Sequence, residues 1–159
     1  MEFKGPSAVR RTLPRSRADT TPFKAEKMED TNDKRGRLIL RTLAMPADTN
    51  PHGDIFGGWI MAQMDIAGGI LAREITCSRV VTVAVDSITF IKPVHVGDVV
   101  ACYGKMVRIG TTSITIDLEV WVKPALDRPG EEIAELRVTE AAFTYVAVDS
   151  AGRKQPINR

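Results

Sequence analysis

One segment constrains the fold more than any other. Entered through Gly57-Gly58, the run from Trp59 to Ile75 is apolar on almost every side, with polar groups mainly at Gln63, Asp65, Arg73 and Glu74. As a helix, these roughly nineteen residues span about 28 Å. A helix of that composition is enclosed on most sides rather than laid over a surface. It is broken by too many polar groups to cross a membrane, which needs about 18 apolar residues in a row.

Everything after the helix reads as strand. Arg79 to Ile91 is rich in Val, Ile and Thr, and Asp98 to Ile109 is a second run. Ser113 to Lys123 alternates, with Ile114, Ile116, Leu118, Val120 and Val122 on one face and Thr115, Asp117, Glu119, Trp121 and Lys123 on the other. Glu132 to Val148 is the fourth. Turn signals separate them at Lys92-Pro93, Val96-Gly97, Ile109-Gly110 and from Asp127 to Gly130. One more strand, Arg37 to Ala44, precedes the helix, and a turn-rich loop from Ala47 to Asp54 joins the two. This is an α+β plan: a long central helix against a curved antiparallel sheet, since no βαβ alternation exists to build a parallel one. Strands 79–91 and 132–148 carry apolar or small residues on both faces, so the face away from the helix calls for a partner subunit.

Residues 1–36 lack an apolar period and read as a disordered extension, leaving a domain over 37–159. No apolar stretch precedes the first charges, so a secretory signal is not expected. Residues 1–37 hold ten Lys/Arg against six Asp/Glu, and the rest holds twelve against fourteen. The folded part is thus mildly acidic, which argues against a nucleic-acid partner. Two cysteines, Cys77 and Cys102, are too few for a disulfide framework and point to the cytoplasm.

Asp65 is the leading candidate for chemistry. A carboxylate buried two turns into so apolar a helix is costly unless partnered. It reads either as a cap on a neighbouring strand's amides or as a general base or nucleophile at the edge of an apolar cavity. Gly57 and Gly58 favour the second reading, because first-turn N–H groups point outward unpaired and suit an oxygen on which negative charge develops. Gly68-Gly69 costs roughly 1 kcal/mol per glycine against Ala, tolerable where something packs very close. Asn50 in the preceding loop is a candidate to orient water or a carbonyl. His52 and His95 read as ordinary loop histidines. The two His and two Cys match no metal-ligand spacing. No phosphate loop, G-x-G-x-x-G or G-x-S-x-G pattern occurs.

These residues carry a resemblance. Leu40 to Asn50, Gly53 to Met61, Gln63 to Asp65, Arg79 to Val85, Phe90 to Pro93 and Val96 to Val100 together closely resemble the YciA-type bacterial acyl-CoA thioesterases of the hotdog fold. The likeness runs over about residues 38–152 without an evident gap. It implies a helix wrapped by an antiparallel sheet, a homodimer as the minimal unit, often a trimer of dimers, and active sites at the dimer interface. It puts the catalytic acid on Asp65 and its partnering amide on Asn50 of the opposite subunit, with the amides around Gly57 and Gly58 polarising the thioester carbonyl. The coenzyme A grip maps onto Lys92 in the Phe90–Pro93 turn and onto Arg108, Thr111 and Ser113 in the following hairpin. No cofactor is implied, because coenzyme A is part of the substrate. The expected reaction is hydrolysis of fatty acyl-CoA. The alternatives are an acyl-thioester hydratase or dehydratase, which would want a catalytic His on the central helix, and a non-catalytic acyl-CoA sensor, which would want a DNA-binding segment.

Overall fold

The computed structural model describes residues 34–125 and 134–157. Strand β1 (Arg37–Leu43) leads through one 3-10 turn (Pro46–Asp48) to helix α1 (Gly57–Thr76). Strands β2 (Arg79–Phe90), β3 (Val99–Ile109), β4 (Ser113–Lys123) and β5 (Leu136–Val148) follow. This is the expected succession, with the helix one residue longer than anticipated and the last strand starting at Leu136 rather than Glu132. The turn expected over 127–130, and the extension expected over 1–36 as far as residue 33, lie outside the described residues. Ahead of β1, the Arg35 guanidinium stacks on the rings of Tyr103 and Trp121 at 4.9 and 4.7 Å and pairs with Glu135 at 2.7 Å.

The strands form one antiparallel sheet in the order β1-β3-β4-β5-β2. Its concave face packs on α1. The alternation in β4 decides that packing: Ile114, Ile116, Leu118, Val120 and Val122 are buried toward the helix, while Thr115, Asp117, Glu119 and Trp121 stay half-exposed. From the helix, Ile60, Met64, Ala67, Leu71 and Ala72 meet them in one core with Phe143 and Tyr145.

The two helix glycines differ. A Cβ on Gly68 would overlap the Tyr145 hydroxyl and come within 2.9 Å of Leu118, whereas one on Gly69 would touch only the Tyr145 ring at 3.9 Å. The close approach expected of the pair belongs to Gly68.

The chain's own sheet covers only one side of the helix. On the other side Ile66 is 51% and Ile70 40% exposed. The edge strand β2 likewise presents Val81, Val83 and Val85, with Val83 at 53%. A helix side and a strand edge that are apolar and uncovered together are what a second subunit would be expected to bury.

Candidate active site

Helix α1 starts without a side-chain cap. Phe56 occupies the N-cap position, and no acidic residue lies in the first turn. Among the described residues the N–H groups of Gly57 and Gly58 meet no acceptor, so two backbone donors stand open at the positive end of the helix dipole. A Cβ on Gly57 would press within 3.3 Å of the Phe90 ring, while one on Gly58 would meet nothing within 4 Å.

Two turns along, Asp65 departs from expectation: it is exposed in the single chain rather than buried. It stands on a groove of about 760 Å³ whose walls include Ile66, Gly69, Ile70, Arg73 and Val80. The carboxylate is held from one side. Thr82 Oγ1 donates to its Oδ1 at 2.5 Å, and the Tyr145 hydroxyl approaches the same oxygen at 3.4 Å and the Asp65 main-chain carbonyl at 3.2 Å. These are side-chain donors and not strand amides, so the capping alternative does not describe this residue. Oδ2 carries no such bond among the described residues. Burial, then the charge and hydrogen bond of Asp65, push the Tyr145 phenol well above its ordinary value, so it remains a protonated donor.

Neither Thr82 nor Tyr145 was singled out in the sequence. They are direct partners in the β2–β5 register, which sets both beneath Asp65. A signal existed: Tyr145 shares the inward face of β5 with Ala141, Phe143 and Ala147, where a buried phenol needs a polar partner.

The remaining candidates are spread out. Asn50 is half-buried in the loop before the helix, where its Oδ1 accepts the N–H groups of His52 at 2.9 Å and Asp54 at 3.2 Å. Among the described residues no hydrogen bond joins it to Asp65. Lys92 is exposed on the loop after β2, beside Gly57 and Phe90 in a smaller pocket. Arg108, Thr111 and Ser113 lie at the β3–β4 hairpin, where Arg108 and Thr111 are exposed, and the Ser113 carbonyl accepts the Gly110 N–H at 2.7 Å. Ser113 is in register with Val146 and Phe90 with Thr139, so the hairpin and Lys92 sit at opposite ends of the sheet. One chain does not bring them together. His52 and His95 are exposed, and His95 lies 3.6 Å from Asp54 and 3.8 Å from Asp98.

Comparison with known proteins identifies the fold and its chemistry. Residues 52–126 match the model of the thioesterase superfamily. The acyl-CoA thioester hydrolase YciA of Salmonella typhimurium is 58% identical over 126 residues, which is 79% of this chain and 93% of its own length. The chain belongs to the YciA acyl-CoA thioester hydrolases. YciA-type architecture is the hotdog fold: the long helix wrapped by the five-stranded antiparallel sheet. Among solved structures, an aspartate-to-alanine mutant of a hexameric broad specificity acyl-coenzyme A thioesterase matches at 58% identity and a TM-score of 0.74 over 78% of this chain and 88% of its own. A more distant match is the acyl-CoA hydrolase of Staphylococcus aureus, solved with coenzyme A as an asparagine-to-alanine mutant. It is 25% identical with a TM-score of 0.67, covering 74% of this chain and 68% of its own. The same hydrolase has been solved as an aspartate-to-alanine mutant.

Proposed function

We propose that the chain hydrolyses the thioester of fatty acyl-CoA to free fatty acid and coenzyme A in the cytoplasm, with Asp65 as general base. Oδ1 is tied to Thr82 and faces Tyr145, which fixes the carboxylate and leaves Oδ2 to take a proton from water. The water oxygen attacks the thioester carbon, and the resulting oxyanion is held by the open N–H groups of Gly57 and Gly58. Collapse breaks the C–S bond. The departing thiolate takes the proton back from Asp65.

The observation that carries this reading is the distance between its two halves. Gly58 and Asp65 are seven residues apart on one helix, about 10 Å along the axis. A base and an oxyanion donor acting on one carbonyl must each come within about 3 Å of the reacting atoms. The two therefore serve a single thioester only across an interface, Asp65 from one protomer and the helix start of its partner. The exposed apolar side of the helix and the edge of β2 supply the surface for that pairing. The homodimer is then the smallest active unit, and a hexamer is a trimer of such dimers.

Asn50 completes the site from the loop next to the helix start, opposite Asp65. In the Staphylococcus aureus hydrolase the replaced asparagine and aspartate stand fifteen positions apart, the separation of Asn50 and Asp65 here. In this reading Lys92 of one chain and Arg108, Thr111 and Ser113 of the other meet coenzyme A, because a single chain sets them at opposite ends of its sheet.

The test is thiol release from acyl-CoAs of graded chain length. Hydrolysis by the wild-type protein, and a fall of at least about 10²–10³ in turnover for a folded Asp65→Asn variant, is the expected result. Near-normal turnover in that variant would remove Asp65 from the chemistry.

A further inference from the structure

We infer that the Thr139 hydroxyl is a substrate contact: it hydrogen-bonds an oxygen of the acyl-CoA held beside the start of α1. This rests on the hydrolase reading above and extends it to a residue outside the Asp65 groove.

Thr139 is 1% exposed, and its Oγ1 meets no hydrogen-bonding partner among the described residues. Leaving a buried hydroxyl unpaired costs about 1–3 kcal/mol, and valine, of the same shape, would avoid that cost at this position. Thr139 nonetheless lines a pocket of about 330 Å³, together with Gly57, Ile60, Phe90, Lys92 and Val94. Register explains the placement: Thr139 pairs with Phe90 at the end of β2, and it shares the inward face of β5 with Ala141 and Phe143, directly under the first turn of the helix.

The pocket is lined by Gly57, whose N–H is open, by Thr139 and by Lys92, with apolar side chains for the rest. Donors set among mostly apolar walls suit a ligand that is largely hydrocarbon and carries oxygen acceptors. An acyl-CoA has such oxygens on the thioester, on the pantetheine amides and, in oxygenated chains, on the acyl group. A site built around a hydroxyl discriminates strongly against a ligand that leaves it unpaired.

The experiment compares full-length wild type, Thr139→Val and Thr139→Ser. kcat/KM is measured on saturated acyl-CoAs and on 3-hydroxyacyl-CoAs of equal length, and the melting temperature is read without substrate. Thr139→Val is expected to lower kcat/KM roughly tenfold while its melting temperature stays level or rises, because the unpaired hydroxyl has been removed. Thr139→Ser is expected to retain activity within about threefold of wild type. A loss equal on all esters assigns the bond to the thioester or pantetheine. A loss confined to hydroxylated chains assigns it to the acyl group. Unchanged kcat/KM on every ester in Thr139→Val overturns the inference. So does a fall in its melting temperature that Thr139→Ser repairs, since the hydroxyl would then be a structural bond of the assembled protein. A wild-type protein inert toward every ester overturns both this inference and the hydrolase reading, and that result is seen before any variant is compared.

Discussion

The hydroxyl of Tyr145 occupies the space that a side chain on Gly68 would need. From there it lies 3.2 Å from the main-chain carbonyl of Asp65 and 3.4 Å from its carboxylate. A helix glycine, a strand tyrosine and the Asp65 carboxylate are therefore one arrangement. Gly68→Ala forces the phenol or Leu118 to move. Overpacking of this kind destabilises by about 1–3 kcal/mol, although alanine is the better helix former. Denaturant melts of Gly68→Ala against Gly69→Ala check it. The first is expected to lose stability together with kcat, and the second to hold both.

Thr82 is expected to act through Asp65. Its bond fixes one carboxylate oxygen, and Thr82→Val would free the carboxylate to rotate. The expected outcome is a kcat roughly tenfold lower with KM little changed, and recovery in Thr82→Ser. An equal loss in the Ser and Val variants would assign Thr82 to packing instead.

Alkaline stability follows from two buried groups. Burial pushes the Cys102 thiol from its ordinary 9.0 up to about 12. Burial first, and then Asp65, push the Tyr145 phenol above its ordinary 10.0. Above pH 9 the unfolded chain loses these protons while the folded chain keeps them. The unfolded state then binds fewer protons, and stability falls as pH rises. Stability is expected to be full below about pH 9 and to decline from there toward 12. Denaturation midpoints measured across that range check this, with a shallower decline expected for Cys102→Ala.

Much of this was legible in the chain. The period of two in β4 gave its bounds and its buried face, and the all-round apolar helix announced its central place. Gly68 announced a close approach without naming Tyr145, because the neighbour arrives from a strand 77 positions away. The β2–β5 register that pairs Thr82 with Tyr145 is a non-local fact, set by how the sheet closes on the helix. The exposure of Asp65 differs from the expectation for a related reason: apolar residues around it, such as Ile66 and Ile70, face outward from the single chain, not inward to its own core. Thr139 went unnoticed because a threonine in a strand carries no sequence mark of being unpaired.

Whether the site is assembled from two chains can be measured by subunit mixing. Asp65→Asn and Asn50→Ala proteins are each expected to be nearly inactive. When the two are co-expressed, half of the random dimers are mixed, and each mixed dimer regains one intact site, so about a quarter of wild-type activity should return. Mixtures as inactive as their parents would contradict the account, because they would place Asp65 and Asn50 in the same chain's site.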